Sequence, residues 1–244
     1  MGASESKPPP SAAVYNPLQL KLYDFVVLRI SNGYAWRCST DDVLLPFFRG
    51  RLAGSNRHLD VGVGNGFYLV KSKDVLFSIK NITLMDVNKN ALDVTASRLA
   101  RLGFRTDSVL HDVTEPWSRP NDAQPFDSIS LFYLLHCLPG PLSDKADKIA
   151  ASLKAHLNRD SGVLYGATIL GDEARHNLFG KLLMRLWNKL GVFGNRTDKE
   201  SDLQEALQRH FSEVEVRREG RVALFTASKP IGGDFGSPRA AQTS

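Results

Sequence analysis

The sequence predicts an α/β fold in which a mostly parallel sheet is covered by helices on both faces. Short apolar runs of strand length alternate along the chain with longer stretches of 3.6-residue periodicity, the pattern of repeated strand-helix-strand units. A glycine-rich turn, Gly62-Val63-Gly64-Asn65-Gly66, closes the first apolar run, and the next run ends in an acid, Asp86, twenty positions beyond Gly66. Near the end of the chain, two alternating runs either side of Gly220 read as an antiparallel hairpin. No repeat of solenoid period competes with a single sheet.

In chain order, helical periodicity marks Pro17 to Ile30, Thr40 to Leu52, Ala91 to Leu102, Lys145 to Leu157, His176 to Leu190 and Lys199 to Phe211. The strands lie between: His58-Leu59-Asp60-Val61, Leu84-Met85-Asp86-Val87, Val109 to Val113, Phe126 to Tyr133 and Gly162 to Ile169. In such sheets ligands bind beyond the carboxyl ends of the strands where the strand order reverses. That rule gathers Gly62, Asp86, Asp112 and Tyr133 around one crevice.

Glycines let the backbone turn sharply off a strand and approach a ligand, and an acid on the next strand accepts hydrogen bonds from ribose hydroxyls. The spacing therefore calls for a cofactor containing a nucleoside. A dinucleotide fingerprint wants G-x-G-x-x-G, whereas the third glycine here comes one residue early and Phe67 stands where a small residue is expected. No phosphate loop of the G-x-x-x-x-G-K-[ST] type occurs.

An acid followed by G-x-G-x-G resembles the first motif of class I S-adenosylmethionine-dependent methyltransferases. The resemblance covers residues from about 58 to 229. It implies a Rossmann-like seven-stranded sheet closed by the C-terminal hairpin, with S-adenosyl-L-methionine as cofactor. It also implies that Asp86 holds the ribose, that Asp112 faces the adenine, and that Phe126-Asp127 announces the fourth strand. The cofactor-binding set carried over is Asp60, Gly62, Gly64, Gly66, Phe67, Asp86, Val87, Asp112, Val113, Tyr133 and His136.

At 244 residues with 42% hydrophobic content, the chain suits one compact domain. We divide it into a disordered leader (1–13), a methyltransferase domain (14–229) and a disordered tail (230–244). Within the domain, residues 14–57 form a helical cap and 58–229 the catalytic core. The two cysteines, Cys38 and Cys137, show neither a disulfide framework nor metal-ligand spacing, so no metal is expected and the compartment is reducing, the cytoplasm. No apolar run is long enough to span a membrane. The formal charge of +5 is spread along the chain, and no nucleic-acid partner is expected. Met1-Gly2-Ala3-Ser4-Glu5-Ser6 matches an N-myristoylation pattern, giving a membrane-contact hypothesis at Gly2. The oligomeric state is left open.

The acceptor is expected between two caps, Val14 to Cys38 and Gly171 to Asn195, with Tyr15, Tyr23, Asn32, Trp36, Arg37, His176 and Trp187 as candidate contacts. Two histidines are candidate bases, His136 first and His176 second, with a cofactor-lining role preferred for His136. The chain lacks the (D/N)-P-P-(Y/F) string of amino-methylating nucleic-acid enzymes, the acid cluster of metal-dependent catechol enzymes and the double-Glu loop of arginine methyltransferases. Tyr15-Asn16, Ser31-Asn32, Ala35-Trp36-Arg37, Leu135 to Gly140 and Gly166 to Gly171 resemble small fungal and bacterial methyltransferases of secondary metabolism. The resemblance implies methylation of a small-molecule acceptor, at a hydroxyl or carboxyl by preference. The alternatives are a nucleic-acid or protein methyltransferase, and a protein that binds the cofactor without transferring its methyl.

Overall fold

The computed structural model describes residues 26–120, 123–174 and 176–232. Seven strands form one sheet: β1 (Arg57–Val61), β2 (Asn81–Asp86), β3 (Asp107–Leu110), β4 (Ser128–Phe132), β5 (Val163–Ile169), β6 (Phe211–Glu219) and β7 (Val222–Pro230). Their order is β3-β2-β1-β4-β5-β7-β6. Strands β1 to β5 are parallel, and β7 runs antiparallel between β5 and β6. The mostly parallel sheet and its closing hairpin are those the sequence predicts. Strand β4 is buried along its whole length, as a central strand covered on both faces must be, whereas the outer strand β6 is largely exposed.

The helices are α1 (Leu45–Leu52), α2 (Phe67–Lys71), α3 (Lys73–Leu76), α4 (Lys89–Ala100), α5 (Leu142–Lys154), α6 (Leu178–Lys189) and α7 (Glu200–Gln208). They divide into two cores, one on each side of the sheet. On one side Ala146, Ile149 and Leu153 of α5 join Leu203 and Leu207 of α7 against Ile129 and Leu131. On the other, Phe48 and Leu52 of α1 and Leu92 and Leu99 of α4 pack on Ile82, Leu84 and Tyr165. Local chemistry sets the starts: the Asn88 side chain accepts from the Asn90 N–H at 2.9 Å to cap α4, and Asn177 accepts from the Gly180 N–H at 2.7 Å to cap α6.

Several boundaries shift by a few residues from the sequence reading, Phe211 opening β6 instead of closing α7, and the first two helices differ in form. Helical turns continue from Val26 to Ala35 instead of stopping at Ile30, in a widened form in which the Trp36 N–H reaches back five residues to the Ser31 carbonyl at 2.9 Å. The predicted helix from Thr40 to Leu52 likewise opens with widened turns over Thr40–Leu44 before α1. Pro46, with no N–H to donate, stands at that join. Gly2, Tyr15, Tyr23, the leader and the tail beyond residue 232 lie outside the described residues.

Candidate active site

Strands β1 and β4 are neighbours, while the chain continues from β1 toward β2 on one side and from β4 toward β5 on the other. The crevice opens at their carboxyl ends. There Gly62, Gly64 and Gly66 have φ of 72°, 55° and 70°, the left-handed region that side chains resist. A Cβ on Gly66 would lie 2.6 Å from Thr95 Cγ2, and one on Gly62 would lie 3.0 Å from Leu134 Cδ1. A Cβ on Gly64 would meet nothing within 4 Å. The outer glycines thus let neighbouring chain pack closely, and the middle one presents bare backbone to open space. Hydrogen bonds hold the turn: Gly62 N–H to Met85 O at 2.8 Å, Arg98 Nη1 to Asn65 O at 2.6 Å, and Phe67 N–H to Asn65 Oδ1 at 3.0 Å.

Three acids stand on or just past β1, β2 and β3, toward their carboxyl ends. Asp86, half-buried at the end of β2, accepts from the Asn88 N–H at 2.9 Å and from the Gly64 N–H at 3.4 Å. Burial pushes its carboxyl up from the ordinary value, and the surrounding backbone N–H groups oppose that shift. Val87 beside it is exposed. Asp112, just past β3, accepts from both the N–H and the hydroxyl of Thr114, at 2.9 and 2.7 Å, with Val113 buried next to it.

Asp60 lies in a buried polar row built by strand register. His58 pairs with Ser128, Asp60 with Ser130, and Ser130 with Tyr165 across β1, β4 and β5. The Ser130 hydroxyl donates to Asp60 Oδ1 at 2.5 Å, so it is left to accept from His58 Nε2 at 3.2 Å. His58 Nδ1 then accepts from the Ser128 hydroxyl at 2.8 Å, which accepts in turn from Ser55 at 2.8 Å. With Asp60 ionised, this order runs in one direction throughout and puts the His58 proton on Nε2. Burial pushes His58 down to about 3. Burial likewise raises the Asp60 carboxyl to about 7; the Ser130 hydrogen bond opposes the rise and the charge of Asp86 adds to it.

After β4 the backbone bends sharply at Tyr133, a non-glycine residue with φ of 59° whose N–H is held by Ala167 O at 2.8 Å. The turn that follows carries His136, 2% exposed, with its ring edge-on to Phe193 at 4.6 Å and to Tyr133 at 5.5 Å. Its Nδ1 lies 3.5 Å from the Ile169 N–H and from Thr168 Oγ1. Burial first, and the charge of Lys145 second, push His136 down to about 3, so the ring is neutral. Lys145 is itself buried. Its Nζ meets Asp198 at 2.8 Å, Gly194 O at 3.1 Å and Leu138 O at 3.2 Å, while the Gly194 N–H donates to His136 O at 2.8 Å. These bonds stitch the loop after β4 to the segment after α6.

Known proteins resemble this chain in sequence and in fold. A methyltransferase of Aspergillus terreus, ctvB, is 43% identical over 218 residues, covering 88% of this chain and 93% of the relative. The physcion biosynthesis cluster O-methyltransferase of Aspergillus chevalieri is 41% identical over 218 residues, covering 89% and 94%. The chain belongs to the S-adenosylmethionine-dependent methyltransferase family. Among solved structures, the methyltransferase SibL in its apo form superposes with a TM-score of 0.63 at 17% identity over 94% of this chain. An O-methyltransferase family protein of Burkholderia thailandensis gives 0.62 at 14% identity over 89%. The chain spans 64% and 62% of those two proteins. No protein-family model matches it.

In this methyltransferase the two caps expected over the acceptor do pack together. Asn177 Nδ2 donates to Tyr34 O at 2.8 Å, and Tyr34 stands edge-on to Phe179 at 5.7 Å. Trp36 and His176 are neighbours there, rings 5.5 Å apart, but both are buried. Nε2 of His176 is committed to Gly171 O at 2.8 Å and Leu170 O at 3.1 Å. These two residues fasten the cap, with Trp36 and the His176 ring both held inside it. Asn32 is also buried, donating to Thr40 Oγ1 at 3.0 Å. Arg37 is exposed, and Trp187 is half-buried at 6.3 Å from Phe193. Among the described residues no cluster of three or more metal-ligating side chains occurs.

The sequence reading did not pick out His58, Ser130, Arg98 or Lys145. A signal existed for the first two: His58 and Asp60, like Ser128 and Ser130, are polar residues two apart inside runs read as buried strands. Polar groups at such positions need partners on adjacent strands. Arg98 and Lys145 sit on helices at positions that sequence alone cannot distinguish from solvated charge.

Proposed function

We propose that this methyltransferase moves the methyl group of S-adenosylmethionine to the hydroxyl of a small aromatic acceptor in secondary metabolism. The observation that carries the cofactor half is the open face of Gly64 beside Asp86. A nucleoside can approach bare backbone there, with Asp86 accepting from ribose hydroxyls and Asp112 from the adenine amino group. Asp60, able to ionise near neutral pH, suits the ammonium end of the cofactor. Several relatives named O-methyltransferase, from Aspergillus and Pyricularia, support an oxygen as the acceptor atom. The cysteines among the described residues are free thiols, and no described helix is long and apolar enough to cross a membrane, which supports a cytoplasmic enzyme.

The bound cofactor supplies a methyl on a sulfonium that is already a good leaving group. The protein's task is then placement, and holding the acceptor oxygen about 3 Å from the methyl and in line with sulfur can supply roughly 7–11 kcal/mol of the barrier. His136 is a poor base in this setting, because burial keeps its ring neutral and weakly basic. We assign it to the wall of the crevice, with the acceptor proton leaving to solvent. The test is a series of phenols of graded acidity assayed for S-adenosylhomocysteine release, in the native enzyme and in His136→Asn. Rates that follow the ionisation of the phenol, with turnover kept within about tenfold in the variant, support this reading. Turnover lost while cofactor affinity is retained restores His136 as the base.

A further inference from the structure

We propose that helix α6 is a docking surface for an anionic lipid bilayer. Its outward side carries Leu178, Leu182 and Leu186, and its C-cap is Leu190, all at four-residue spacing, with exposures of 86, 62, 45 and 54%. That spacing aligns them in one stripe roughly 18 Å long. Gly180 and Met184, on the other side of the helix, are buried. Lys181, Arg185 and Lys189, also four apart and exposed, form a second row beside the leucines.

Charge selects among the partners such a stripe could take. The helix carries three basic residues and no acid, and of the acids that flank it Asp172 pairs with Arg196 at 3.6 Å and Asp198 is buried against Lys145. A symmetric dimer through α6 would set both copies' Lys181, Arg185 and Lys189 against each other with no acid on the helix to meet them. A nucleic acid would match the charge and leave the leucines in water. An anionic bilayer takes both rows, leucines at the acyl boundary and basic groups among the headgroups. The surface goes beyond the catalytic reading and does not depend on which acceptor is methylated.

The test is sedimentation of the full chain, made in bacteria so that Gly2 carries no acyl group, with vesicles of phosphatidylcholine alone or mixed with phosphatidylserine. No cofactor or acceptor is present, so failure here is separate from failure of the catalytic proposal. The expected result is binding to mixed vesicles that weakens about fivefold for each of Lys181, Arg185 or Lys189 changed to serine. The exposed pair Leu182→Ser and Leu186→Ser should weaken it at least about tenfold, with the melting temperature unchanged. No association with mixed vesicles overturns the proposal. So does binding that the leucine pair leaves intact, or a dimer in solution that the same pair dissociates.

Discussion

Replacing Asp60 with Asn should make this protein more stable at alkaline pH while weakening its hold on the cofactor. The carboxyl titrates at about 7 in the folded chain against an ordinary value of 3.8, because burial outweighs the Ser130 hydrogen bond. Between those two pH values the folded state binds more protons than the unfolded state, so stability falls as pH rises. The contribution of Asp60 is fully present below pH 3.8 and is lost as pH climbs through about 7. The interval corresponds to roughly 4 kcal/mol as an upper limit. Asn keeps an oxygen for the Ser130 hydroxyl and has no charge to bury, so it avoids the loss. His136, pushed down to about 3, gives the opposite slope in the acid range and cancels when variant and native protein are compared, whereas His58 is coupled to Asp60 through Ser130, so the comparison is decided at the alkaline end, where His58 is neutral. Urea unfolding at a series of pH values from about 5 to about 8 measures the difference directly. The variant should gain stability over the native chain by a few kcal/mol at the alkaline end, converging with it toward acid. Calorimetry on the same samples should show cofactor affinity reduced. A variant less stable than the native chain at about pH 8, or a difference that does not change with pH, would refute the buried-charge argument.

Three further outcomes follow from the geometry. Gly64→Ala and Gly54→Ala both place a methyl at positive φ with nothing within 4 Å, so each should cost roughly 1–2 kcal/mol of stability. Only the Gly64 variant should lose cofactor affinity, by about tenfold or more in calorimetric titration. Asp86→Ala should weaken nucleoside binding by roughly 1–3 kcal/mol, and unchanged affinity would move the ribose site elsewhere. Lys145→Met leaves Asp198 buried without its partner and should cost roughly 3–5 kcal/mol in denaturant unfolding, whereas adding Asp198→Asn should restore most of it.

Much of this architecture could be read from residue pattern. Alternating periodicities gave the parallel strands, because each strand buried on both faces must be an apolar run and each covering helix must carry a stripe. The glycine turn was equally legible, since positive φ at alternate positions leaves little choice of residue. Less could be read where tertiary partners decide. Trp36 and His176 belong to residue types common in binding sites, yet their burial comes from the way one cap folds onto the other, which no local pattern encodes. Lys145 looked like one more surface charge on an amphipathic helix, and only the return of the chain after α6 brings Asp198 to it. The row from Ser55 to Asp60 depends on the register of β1 against β4, strands separated by some seventy residues of sequence.

The most direct measurement is a calorimetric titration of the full chain with S-adenosylmethionine, with NAD as control, in the native protein and in Gly64→Ala. The account predicts saturable binding of S-adenosylmethionine, none of NAD, and loss of at least about tenfold in affinity for the variant. Binding of NAD, or S-adenosylmethionine affinity indifferent to Gly64, would contradict the assignment of the glycine turn as the cofactor site.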